Sequence, residues 1–158
     1  MIRGDRGFAA IPTNDGLTLV VVGCPFAQAG AFRADVEGNF MRTLDTEAEF
    51  AEPVRAATRE EWFVGGGVPT FVRKPYGAGW ALVGDAAYTK DPITAQGITD
   101  AFRSAEAYAT TIDEAFTGAR SHEDAMERSQ QERDARAMPI FEYTTQLATL
   151  EPPPPEVQ

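Results

Sequence analysis

The apolar run Trp80-Ala81-Leu82-Val83 stops at Gly84-Asp85, and after a loop through Asp91-Pro92 the chain enters its clearest helix. That order constrains the fold more than any other feature. A strand that ends at a glycine and presents a carboxylate, then a loop, then a long helix is a unit of an open α/β sheet. Ligands bind such sheets at the carboxyl ends of the strands. Ile98, Ala101, Phe102, Ala105, Ala109, Ile112 and Phe116 recur at three- and four-residue intervals, a stripe that predicts a helix closed at Gly118. Gly97 lies in its first turn, where a missing side chain lets a ligand approach unpaired, partly positive N–H groups. Trp80 and Phe102 are expected in the core.

The remaining chain reads as mixed α and β. Gly7–Pro12 and Leu17–Val22 flank Thr13-Asn14-Asp15-Gly16, whose Asp-Gly predicts a hairpin. The second run is nearly continuous in apolar residues, so both its faces are expected to be covered. Val36, Phe40 and Leu44, then Phe50, Val54 and Ala57, predict helix between residues 32 and 59, broken near Asp45-Thr46 and disturbed or opened by Pro53. Trp62-Phe63-Val64 is a strand candidate before Gly65-Gly66-Gly67, and Thr70–Pro75 is extended. Ser121-His122-Glu123-Asp124 predicts a helix start. A charged helix follows to Arg136, Pro139 breaks or restarts it, and Pro152–Pro155 form an extended tail.

Composition narrows the function. The 158 residues carry 14 Lys and Arg against 24 Asp and Glu, a net charge of -10. That field disfavours nucleic acid and anionic membranes. No apolar run reaches the roughly 20 residues of a membrane span. One cysteine, Cys24, and one histidine, His122, exclude an intrachain disulfide framework and clustered thiolate or histidine metal sites. Cys24 reads as a small packed residue and His122 as part of a helix start. Arg73 and Lys74 could meet a pyrophosphate or an anionic substrate, the plainer reading being strand-edge charge. A cytoplasmic chain without a metal is expected.

A carboxylate facing a helix N-terminus suits a ligand with hydroxyls and an electron-rich ring, a description that a flavin and its ribityl chain meet. Gly84, Asp85, Ala86, Pro92, Gln96 and Gly97 resemble the second flavin-binding motif of FAD-dependent monooxygenases of the p-hydroxybenzoate hydroxylase fold. The resemblance covers residues 73 to 109 closely, and more weakly the N-terminal hairpin and the Arg- and Glu-rich helix. It implies that Asp85 accepts hydrogen bonds from the ribityl hydroxyls, and that Pro92 lies near the isoalloxazine. Gln96 and Gly97 would set the helix N-terminus at the pyrimidine edge, where it stabilises reduced flavin. It further implies FAD as cofactor, NAD(P)H as reductant and a small organic substrate; no catalytic residue is implied.

Ala95 stands where the family commonly has glycine, and Ser104-Ala105 where it has Asp-Ala. No strand–Gly-x-Gly-x-x-Gly–helix unit for the ADP half is found, so the chain is expected to be a C-terminal portion whose nucleotide-binding half lies in cis. The fold class expected is α/β, an α+β fragment. Residues 1–78 are expected to give part of a substrate-domain sheet with helices, 79–118 the closing strand and helix of an FAD-binding domain, and 119–158 C-terminal helices and the tail. Two other readings stand beside the monooxygenase: a flavin-dependent reductase of the geranylgeranyl-reductase type, and a truncated, non-enzymatic product that does not retain FAD. A tryptophan halogenase is disfavoured, because Ile11-Pro12 lacks the tryptophans of that signature.

Overall fold

The computed structural model describes residues 1–151, and the proline tail lies outside them. The chain is a mixture of helices and short antiparallel sheets that divides into two compact units. One comprises Met1–Gly67 with the chain from Thr149 onward, the other Val68–Ala148.

In the first unit β1 (Ile2–Arg3), β2 (Arg6–Pro12) and β3 (Thr18–Gly23) form an antiparallel sheet in that order. The register pairs Phe8 with Val22 and Ile11 with Leu19. The expected hairpin forms, with Asp15 and Gly16 at φ 57° and 72°, the left-handed backbone that such turns demand. Phe8 is buried and meets the Phe50 ring at 5.4 Å between centroids. On the opposite sheet face Ile11, Leu19 and Val21 are exposed. Within this unit β3 therefore has protein on one face, not on both as its apolar run suggested.

Three helices follow: α1 (Ala29–Ala34), α2 (Val36–Leu44) and α3 (Ala48–Ala56). Asp35 caps α2 by accepting from the Gly38 amide at 2.9 Å, and Leu44 is fully buried. The break at Asp45-Thr46 falls where the periodicity put it, while Pro53 is accommodated inside α3. Trp62–Val64 forms no strand. Phe63 alone finds cover, on the Phe40 ring at 4.9 Å, while Trp62 and Val64 are exposed. Without a partner ladder an apolar triplet has nothing to pair with.

The second unit holds β4 (Phe71–Val72), β5 (Tyr76–Gly77), β6 (Trp80–Ala81) and β7 (Tyr88–Thr89), then α4 (Gly97–Phe116) and α5 (His122–Leu147). β5 pairs with β6 and β4 with β7, both antiparallel. α5 begins as expected at Ser121, whose hydroxyl accepts from the Asp124 amide, and it runs through Pro139 without stopping. Ala87, Tyr88 and Ala137 form the buried core, with Leu82 and Phe141 packed on it. α4 departs from expectation. Its buried residues are Ser104, Tyr108 and Thr111, whereas Ile98, Phe102 and Phe116 are 77%, 74% and 87% exposed. Trp80 is likewise half exposed and outside the core. The helix packs through Ser104, Tyr108 and Thr111, with Ala101 against Gly84, and the large apolar residues Ile98, Phe102 and Phe116 are left exposed.

Candidate functional site

β6 runs through Leu82 and Val83 into a tight turn at Gly84–Ala86. Gly84 is buried at φ 59°, and a Cβ there would lie 3.1 Å from Ala101 Cβ on α4. Only glycine combines that backbone with that approach. The turn therefore sits against the first turns of α4 and brings Asp85 to the helix start. Asp85 Oδ1 is 4.0 Å from where a Cβ on Gly97 would stand, so two residues twelve apart in sequence meet.

Asp85 and Ala86 are exposed, and the turn is held by Thr89 Oγ1 donating to the Asp85 carbonyl at 2.9 Å. Among the described residues the Asp85 carboxylate accepts no hydrogen bond. The loop beyond is fixed at several points. Asp91 accepts from the Ile93 amide at 2.9 Å and opens the short turn Pro92–Thr94. The Thr94 and Thr144 hydroxyls bond at 2.9 Å, and Thr144 is fully buried on α5. Pro92 is exposed; Gln96 is half-buried and precedes α4 without capping it by its side chain. Gly97 is exposed at the first helical position, so the helix opens on amides that no side chain engages.

Ala95 takes φ 53°, ψ 35°, the left-handed conformation in which an L side chain is strained. This geometry accounts for the glycine commonly found at this place in sequences that share the motif. Ala95→Gly is expected to stabilise the chain by about 0.5–1 kcal/mol, the relieved strain exceeding the added backbone entropy. Urea unfolding checks it, and a loss of stability contradicts the strain.

One feature of the site escaped the sequence reading. Lys90 and Asp100 form an ion pair with side chains 5% and 12% exposed. Tyr88 lies beside it, its ring 5.1 Å from Lys90 Nζ and its phenol near enough to Asp100 to feel that carboxylate's charge. Burial and then the Asp100 charge push the Tyr88 phenol well above its ordinary range, so it stays a donor at working pH. The pair ties the two ends of the segment that carries Pro92, Gln96 and Gly97. A lysine beside a tyrosine next to the motif, ten residues from an aspartate at a helix start, was the available signal.

Elsewhere, burial raises the Cys24 thiol, the wrong direction for a reactive thiolate. Among the described residues no His, Cys, Asp or Glu group is arranged to hold a metal, and no helix is long and apolar enough to cross a membrane.

A free carboxylate accepts hydrogen bonds from hydroxyls, and the unengaged helix start beside it donates backbone N–H groups to a carbonyl or ring nitrogen. That combination fits a flavin's ribityl chain and pyrimidine edge. The surrounding fold is similar to part of solved structures that include one described as a probable FAD-dependent monooxygenase. The solved structures it matches are of PqsL from Pseudomonas aeruginosa. One is in complex with 2-aminobenzoylacetate, at 30% identity and a TM-score of 0.72. Another is described as a probable FAD-dependent monooxygenase, at 29% identity and a TM-score of 0.71. Both alignments cover 92% of this chain and 41% of the other, so the chain spans about two fifths of the proteins it matches. The likeness to FAD-dependent monooxygenases and the mixed α/β class are borne out. No protein-family model matches the chain, and no curated protein does.

Proposed function

We propose that this chain supplies the flavin-contacting C-terminal part of an FAD-dependent oxidoreductase, an NAD(P)H-dependent monooxygenase acting on a small organic substrate. The observation that carries the reading is the Asp85 carboxylate, without a partner among the described residues and set against the first residue of uncapped α4. Asp85 accepts hydrogen bonds from the ribityl hydroxyls. The amides at Gly97 and the following residues face the pyrimidine edge, with Gln96 leading into them, and their partial positive charge favours the reduced cofactor. Gly84 and Ala86 shape the turn, and Pro92 borders the ring. FAD, when bound, supplies the two-electron redox chemistry and the reaction with oxygen. The protein supplies position and field.

The ADP half of the cofactor calls for a dinucleotide-binding unit, which we place in cis. The exposed stripe of Ile98, Phe102 and Phe116 supports this, because a contiguous apolar surface on a helix marks a face built to be covered. In this scheme residues 79–118 belong with that unit, residues 1–78 with the substrate sheet, and the chain from 119 onward forms the closing helices. A cytoplasmic setting accords with a single cysteine in an acidic chain.

The test is FAD binding followed by flavin fluorescence and absorbance. Asp85→Ala is expected to weaken binding about 10- to 100-fold, the cost of losing charged hydrogen-bond acceptors. Unchanged affinity overturns the role given to Asp85. A purified chain to which FAD does not bind supports the truncated, non-enzymatic reading. An open reading frame upstream of Met1 encoding strand–Gly-x-Gly-x-x-Gly–helix supports the cis unit. Oxygen consumed in step with NAD(P)H and substrate separates a monooxygenase from a reductase.

A further inference from the structure

Arg73 and Lys74 are not absorbed by the flavin reading. They follow β4 and line a groove of about 580 Å³ whose opposite wall is α5, with Tyr76, Glu127, Arg133 and Asp134 also facing it. Most cations of this acidic chain are ion-paired, whereas Arg73 and Lys74 form no ion pair among the described residues. Each rests on an aromatic face instead, Arg73 4.0 Å from the Phe71 centroid and Lys74 5.1 Å from that of Tyr76. Such seating holds a cation in place and leaves its N–H groups available.

The floor is rigid. The Arg133 side chain is 6% exposed and donates to Asp134 at 2.8 Å and to the Arg73 carbonyl at 3.3 Å. The Arg73 amide in turn donates to the Ala87 carbonyl at 2.9 Å. Asp134 neutralises Arg133, so Arg73 and Lys74 present two positive charges opposed by Glu127 alone. Buried Tyr108, near Arg133, Asp134 and Tyr76, has a hydroxyl with no hydrogen-bond partner among the described residues. The volume exceeds what a bare phosphate fills and is of the size that holds a small organic molecule.

We propose that this groove binds the phosphate end of a nucleotide-sized phosphorylated molecule, through Arg73 and Lys74. The anion meets two exposed, pre-seated cations along an open groove, where charge-assisted hydrogen bonds hold it. The site stands whether or not residues 84–97 hold a flavin.

AMP, adenosine and inorganic phosphate serve as probes, titrated into the whole chain and followed by calorimetry and amide chemical shifts. AMP is expected to saturate with shifts at Arg73, Lys74 and residues 130–134, and to bind about tenfold or more tightly than adenosine. The pair R73Q/K74Q is expected to lose about tenfold in AMP affinity with its thermal midpoint kept. Glu127→Gln, which removes the opposing charge, is expected to tighten AMP a few-fold, about threefold. A poorly folded variant cannot imitate that gain. Inorganic phosphate binding as well as AMP keeps the anion site and assigns it to free phosphate. Adenosine equalling AMP, unchanged affinity in R73Q/K74Q, or weaker binding in Glu127→Gln overturns the proposal.

Discussion

Asp100→Asn is expected to cost about 3–5 kcal/mol of stability, because it strands the Lys90 ammonium in the protein interior. Water gives the stranded ammonium little relief, because the side chains at both positions are buried. The double variant Lys90→Met with Asp100→Leu is expected to recover most of the loss, since it removes both buried charges together. Urea unfolding of the single and double variants checks both expectations. A single-variant loss below about 1 kcal/mol means that the pair is solvated in solution. In the single variant the loop from Asp91 to Gln96 should also exchange its amides faster, because the pair joins the two ends of that segment.

Gly84→Ala is expected to cost about 2–5 kcal/mol. About 1–2 kcal/mol comes from forcing an L side chain into φ 59°. A further 1–3 or so comes from the Cβ against Ala101, where the neighbour is a helix residue with little freedom to retreat. Adding Ala101→Gly separates the two contributions: it opens the contact and leaves the backbone strain in place. Partial recovery is the expected result, read as a coupling energy in a double-mutant cycle. Full stability of Gly84→Ala contradicts the close approach of the turn to α4. The same substitution moves Asp85 away from Gly97, so FAD affinity should fall with stability.

Much of this site was legible in the sequence because its chemistry is local. Gly84 and Asp85 end an apolar run, Gln96 and Gly97 open a helix, and their spacing allows one short loop between them. The Asp15-Gly16 turn, the Ser121 cap and the break at Asp45 are local for the same reason: each is a choice of backbone angle or a side chain bonding a near neighbour. Trp62–Val64 failed because a strand is a property of a pair, and no ladder exists for it to join. The Lys90–Asp100 pair was missed because a charge in a polar-looking loop reads as solvated until its burial is known.

The helix α4 marks the boundary between the two kinds of knowledge. Sequence periodicity alone determined that residues 97–116 form a helix with one continuous apolar face. Tertiary structure decided that the adjoining face, through Ser104, Tyr108 and Thr111, is the one buried, and that Ile98, Phe102 and Phe116 lie exposed. The physical reason is that hydrophobicity records which surface is costly to leave in water, whereas burial depends on which partner is present to cover it.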